Sequence, residues 1–160
     1  MPLSTLGVFH TVIGIAALLS LAYSLWQYKQ IRLDRLMGRV YLFTTVLTGA
    51  SALGIYKNDE PNIAHGLAAL TILAVVLGCV ATKVRVFGGY QKYFIALCFS
   101  STALFHMLPT VTEILTRFPS DAPMVTTLED PLLTNAFMVV LVSFVVLLGL
   151  QMNWLRKQAE

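Results

Sequence analysis

Five stretches of the chain run almost without charge: Leu3 to Tyr28, Gly38 to Tyr56, Asn62 to Thr82, Gln91 to Arg117, and Pro131 to Leu155. A bilayer core of ~30 Å takes about 20 mostly apolar residues as helix, and each stretch meets or approaches that length. Three of the connections are short and polar, at Lys29 to Met37, Lys57 to Pro61 and Lys83 to Tyr90, the last with Gly88 and Gly89 as breakers. Phe118 to Asp130 is longer; it holds Pro119 and Pro123, and Asp130 followed by Pro131 reads as a helix N-cap with proline in the first turn. The pattern predicts an all-α fold: a single domain over residues 1–160 that forms an integral membrane bundle of five transmembrane helices. No Lys or Arg precedes the first apolar run and no small-residue cleavage site follows it, so that run is expected to stay as a membrane helix.

Composition agrees with the pattern. Of the 160 residues, 57% are hydrophobic and 12% charged, about half the usual ~25% charged share of globular proteins. Such a chain cannot cover a water-facing surface with polar groups, which argues against a soluble globule, a disordered tail or a nucleic-acid module. Cys79 and Cys98 lie inside apolar runs without CxxC spacing and read as small buried hydrophobes.

The net charge of +3 says less than where the charges fall. Lys29, Arg32, Arg35, Arg39, Lys83, Arg85, Lys92, Arg156 and Lys157 share one side of the five-span arrangement, and only Lys57 and Arg117 fall on the other. The positive-inside rule then puts the N-terminus outside and the C-terminus in the cytoplasm, as a multi-pass protein of the cell inner membrane. Trp26, Trp154, Tyr28, Tyr90 and Tyr93 land at the inner interface, where amphipathic rings belong.

Against this background the ionisable groups at membrane depth call for a reason, since each costs roughly 2.5 kcal/mol or more if charged at the centre of a span. There are four, all in the outer half: His10, His65, His106 and Glu113. At 1.5 Å per residue, His106 lies roughly 16 Å from Arg117, and Glu113 roughly 6 Å from it. The fourth span also brings Thr102, His106, Thr110, Glu113 and Arg117 near one helical face. Pro109, three residues beyond His106, disturbs the carbonyl of Phe105 and is expected to kink the helix there. Plainer roles stand beside these. Glu113 and Arg117 have the spacing of a helix ion pair; His65 can bond the loop of Asp59 and Glu60; His10 and His106 can bond neighbouring helices. Arg32, Asp34, Arg35 and Arg39 form an inner loop facing anionic lipid.

Phe9-His10 in the first span, Leu36-Met37-Gly38-Arg39-Val40-Tyr41 opening the second, Ile55-Tyr56 closing it, His65-Gly66-Leu67-Ala68-Ala69-Leu70-Thr71 opening the third, and Glu113, Arg117 and Pro119 resemble bacterial predicted membrane proteins of domain of unknown function 2306. Members of that family tend to carry histidines at both ends of their helices, a layout similar to membrane-embedded b-type cytochromes. The resemblance implies an outer haem b centre with His10 and His65 as the carried-over positions. The inner positions depart from the family: Asp34 stands where a His-Arg pair would precede the Gly-Arg-Val-Tyr run, and Tyr90 to Tyr93 has no histidine.

Three functions remain open at this stage, and with them whether the chain is an enzyme. One is membrane redox chemistry with haem b held by His106 and either His10 or His65, which would take a quinone or a redox protein as partner. Another is a zinc or copper site drawn from His10, His65, His106 and Glu113. The alternative is a small-molecule or proton carrier, with Thr102, His106, Thr110 and Glu113 as the path, or a non-catalytic subunit of a larger membrane assembly. Beyond the lipid bilayer no macromolecular partner is legible, although Gly7, Gly14, Gly49, Gly54 and Gly66 would allow a homo-oligomer through close helix approach.

Overall fold

The computed structural model describes residues 4–55 and 62–158. Within them lie five α-helices: α1 (Thr5–Tyr28), α2 (Leu36–Ala52), α3 (Ile63–Lys83), α4 (Gln91–Arg117) and α5 (Pro131–Lys157), with one 3₁₀ turn at Gly88–Tyr90. Among the described residues there is no strand. Helices are the expected answer for a chain in lipid, where every backbone polar group must be satisfied within its own segment.

Each helix starts and stops for a local reason. Ser4 caps α1, its hydroxyl accepting from the Gly7 amide at 3.1 Å, and α1 ends on Lys29 in the left-handed region at φ 59°. Asn62 caps α3 and Asp130 caps α5, the latter accepting from the Leu132 amide at 2.8 Å with Pro131 in the first turn. The Gln91 side chain closes α3: its Nε2 donates to the carbonyls of Ala81 and Val84 while its Oε1 accepts from the Phe87 amide.

Four segments are long and apolar enough to cross a membrane: α1, α3, α4 with its preceding turn, and α5. The second predicted span is the exception. Expected over Gly38 to Tyr56, it forms α2 two residues earlier and stops at Ala52. The amides of Gly54 and Ile55 reach back three residues, to Ser51 and Ala52 at 3.1 Å each, and this tightening ends the helix. Tyr56 lies outside the described residues. At 17 residues α2 is about 25 Å long, short of the ~30 Å apolar core.

The helices run up and down, each packed on the next, and α1 touches α4 to close a four-helix ring. Helix α5 lies outside that ring against α4. The fully buried centre is made by Ala17 of α1, Tyr41 of α2 and, nearly so, Phe99 of α4 and Val75 of α3. Gly78 permits the α3–α4 approach, because a side chain there would collide with the Phe99 ring. Gly38 does the same for the α1–α2 loop, passing directly under the Arg32 carbonyl. Gly14 lies against Thr48, Gly49 against Ile72 and Gly54 against Leu6, so these glycines serve packing within the chain. Gly7 is buried, and Gly66 faces open space. α4 continues as helix through Pro109.

Burial runs opposite to that of a water-soluble bundle. Ser20, Ser24, Thr45, Thr48, Ser51, Thr71, Thr102, His106 and Gln151 are buried, while Leu19, Trp26, Phe43, Val139 and Leu147 are more than 60% exposed. An outer surface of this kind far exceeds the apolar patch a soluble monomer tolerates, and it suits an apolar solvent.

Candidate functional site

The up-and-down order places the C-terminal ends of α1, α3 and α5 and the N-terminal ends of α2 and α4 together, and with them Lys29, Arg32, Arg35, Arg39, Lys83, Arg85, Lys92, Arg156 and Lys157. This is the basic end of the bundle. Polar chemistry inside the bundle lies on its axis, where α2 and α4 face each other diagonally.

Thr45 and Tyr41 are one turn apart on α2, and Thr102 and His106 one turn apart on α4; all four are buried. The Tyr41 Oη is 2.6 Å from the Thr102 Oγ1, and the His106 Nε2 is 3.1 Å from the Thr45 Oγ1. Thr45 is also within hydrogen-bonding reach of Tyr41. The direction of the Tyr41–Thr102 bond is fixed by the backbone. Thr102 donates to the Phe99 carbonyl at 2.6 Å, so its oxygen must accept from Tyr41. The Thr45 Oγ1 and His106 Nε2 share one proton, the donor being set by the imidazole tautomer. The two pairs, His106 with Thr45 and Tyr41 with Thr102, lie one turn apart along the axis, and the second ends on a backbone carbonyl.

His10 belongs to a second group, one helix over. Its Nδ1 is 3.1 Å from the Thr48 carbonyl and 3.0 Å from the Ser51 Oγ. Because Ser51 gives its own proton to the Thr48 carbonyl at 2.9 Å, both partners of His10 are acceptors. The His10 Nδ1 therefore carries the proton, and the Nε2 keeps its lone pair. His10 is within electrostatic range of both Glu113 and His106, so these three share the half of the bundle away from the basic end.

His65 is elsewhere. It sits in the first turn of α3, where its Nδ1 accepts from the Asn62 amide at 3.2 Å and the Asn62 side chain accepts from the Ala64 amide at 2.9 Å, a capping box. Asp59 and Glu60, the other partners considered for it, lie outside the described residues. Glu113 pairs with Arg117 as its spacing predicts, on a half-exposed surface. Thr110 gives its hydroxyl to the His106 carbonyl at 2.7 Å and is committed to its own helix. Among the described residues no three His, Cys, Asp or Glu side chains are grouped so as to hold a metal ion. A haem held by two imidazoles would require His106 to bind through Nδ1 or release Thr45.

Two sets of buried polar positions escaped the sequence pattern. Tyr41, Thr45 and Thr48 follow i, i+4, i+7 on α2 with Ser51 beside them, a period that signals a polar helix face, but nothing in one sequence says that this face meets His106. Gln151 of α5 is buried among apolar neighbours in the chain; its Nε2 donates to the Lys29 carbonyl at 2.8 Å and its Oε1 accepts from Ser100 at 2.7 Å, joining α1, α4 and α5.

At the basic end, Asp34 accepts from the Arg32 Nε at 2.8 Å and Nη2 at 2.6 Å, with Arg35 at 3.9 Å. The Arg32 guanidinium holds the Asp34 carboxyl below the usual carboxylate range, and Asp34 in turn raises Arg32. The Lys92 Nζ donates to the Leu155 carbonyl at 2.7 Å and caps α5.

Comparison with protein-family models, curated proteins and solved structures finds no match for the chain.

Proposed function

We propose that the chain is a five-span protein of a bacterial inner membrane, N-terminus outside and C-terminus in the cytoplasm, that passes protons or another small polar species along its axis. The observation that carries this reading is the pair of buried hydrogen bonds His106–Thr45 and Tyr41–Thr102, one turn apart between two diagonal helices. Hydroxyls both donate and accept, so each can return the proton it gives, and an imidazole at one end, with Glu113 and His10 in the same half of the bundle, supplies a group that can take up and release a proton. Ionisable groups buried in spans mark such relays. Orientation rests on the crowding of Lys and Arg at one end, and the short α2 counts as a span because its polar residues face the axis instead of lipid. The likeness to the family of domain of unknown function 2306 belongs to this proposal.

Proton flux in proteoliposomes under an imposed pH gradient tests it. Tyr41→Phe and His106→Gln should each lower flux by about tenfold or more, a barrier increase of at least ~1.4 kcal/mol. Flux through both variants equal to that of the unaltered protein removes the reading.

A second reading, a haem b or metal centre, has one observation of its own. The Thr48 carbonyl fixes the His10 Nδ1–H, leaving the Nε2 lone pair bonded to nothing among the described residues, the arrangement a ligating imidazole needs. An absorption spectrum and elemental analysis of protein produced with haem and metal supplied decide it; no Soret band and no bound metal end it.

A further inference from the structure

Two clefts open at the basic end, of about 480 and 430 Å³, and they share Thr82, Lys92 and Ile95 as a common wall. Arg85 lines one, and Arg32 with its ion-pair partner Asp34 lines the other, while Phe99 and Leu155 form an apolar floor in the second. The charges here are not balanced. Asp34 is the one acidic residue that the described chain places at this end, and Arg32 and Arg35 already occupy it. Lys92 has a carbonyl and the Tyr93 ring, 4.9 Å from its Nζ, as partners but no carboxylate, so two of its three N–H donors remain for an anion. Arg85 makes no ion pair among the described residues. The loop that carries Arg85 is itself apolar on its exposed side, with Val84, Val86, Phe87 and Tyr90 all at least 44% exposed. Basic and apolar groups mixed in this way belong to a segment lying in the headgroup layer.

We propose that this double cleft is a binding site for an anionic phospholipid, its phosphate on Lys92 beside Arg85 and its acyl chains along the apolar wall that starts at Ile95. A phosphate is the charge-complementary ligand for a lysine and arginine without carboxylate partners, and the cleft has the size of a small-ligand site. The apolar floor and loop favour a lipid over a free phosphate ion, in the manner of basic pockets between transmembrane helices that take acidic headgroups. The inference requires only that the chain sits in a bilayer; it does not require the axial pairs to conduct.

Native mass spectrometry of the full chain in neutral detergent, titrated with phosphatidylglycerol or phosphatidylcholine, is the test. One phosphatidylglycerol should be retained in preference to phosphatidylcholine. Arg85→Gln, which breaks no bond of the fold, should weaken that lipid about fivefold, the loss of ~1 kcal/mol per basic residue near the surface, and Arg85→Gln with Lys92→Gln about 25-fold. Lys92→Arg should restore binding and Lys157→Gln should leave it unchanged. Equal retention of the two lipids, or an Arg85→Gln variant that binds as the parent does, overturns the proposal. Displacement of the lipid by soluble glycerol phosphate at millimolar concentration also overturns it, and reassigns the cleft to a free phosphate.

Discussion

Helix α2 is less apolar than α5, which carries the most apolar span, yet α2 buries seven of its 17 residues and α5 three of its 27. In water the ranking would be reversed. Where the solvent is as apolar as Leu, hydrophobicity no longer says which face is covered, and a helix placed at the rim can be apolar all round. The helix that must meet its neighbours is the one with hydroxyls and glycines, because small residues allow close approach and polar ones find partners there. On the proposed reading of the chain as a membrane bundle, hydropathy reports contact with lipid, and the interior is marked by Thr, Ser, Gly and Tyr.

The contrast can be broken most severely at glycine. Gly78→Val, in the ring, drives a side chain into the Phe99 ring and should destabilise by about 3 kcal/mol, whereas Gly149→Val on α5 meets nothing within 4 Å and should be near neutral. Unfolding midpoints in mixed detergent and SDS micelles compare the two; equal losses would end the distinction between ring and rim. Gln151 is the exception on α5. Gln151→Leu leaves the Lys29 carbonyl without its donor and should cost about 1–3 kcal/mol by the same assay, where Leu150→Val beside it should stay within about 0.5 kcal/mol.

Tyr41→Phe sharpens the comparison from the α2 side. It removes one hydroxyl without opening a cavity, so stability should fall by about 0.6–2 kcal/mol, the range for hydrogen bonds between membrane helices, with the fold kept, while proton flux should fall about tenfold or more. A smaller effect belongs to the α1–α2 loop. Asp34 has its carboxyl depressed by Arg32, so its contribution to stability is present above the ordinary carboxylate pKa and disappears as pH falls through the lower folded value. A melting series in acid should show this loss for the parent and not for Asp34→Asn. Solvent screening at this exposed pair keeps the change small.

The two helices also differ in how far the chain alone described them. Helix α5 begins at Pro131 as expected and runs two residues past Leu155; α4 occupies Gln91 to Arg117 as expected. For α2 the apolar run continued to Tyr56, but the chain tightens into a turn at Gly54 that hydropathy does not register. At the site, the face with Thr102 and His106 and the pair of Glu113 with Arg117 were legible from spacing on one helix. His65 was legible as a histidine near a helix end, and not as half of a capping box, because Asn62 and His65 look equally well suited to a pocket.

What this sequence determined alone is its local chemistry: long apolar runs without charge must satisfy their backbones internally, so helices follow, and the caps at Ser4, Asn62 and Asp130 set where three of them begin. The tertiary structure decided which polar faces meet. Tyr41 and Thr102, like Thr45 and His106, are 61 residues apart, and their contact depends on the rotation of α2 and α4 about their own axes. That rotation is set by how closely α3 can approach at Gly78 and α1 at Ala17, a property of packed surfaces that no single helix carries.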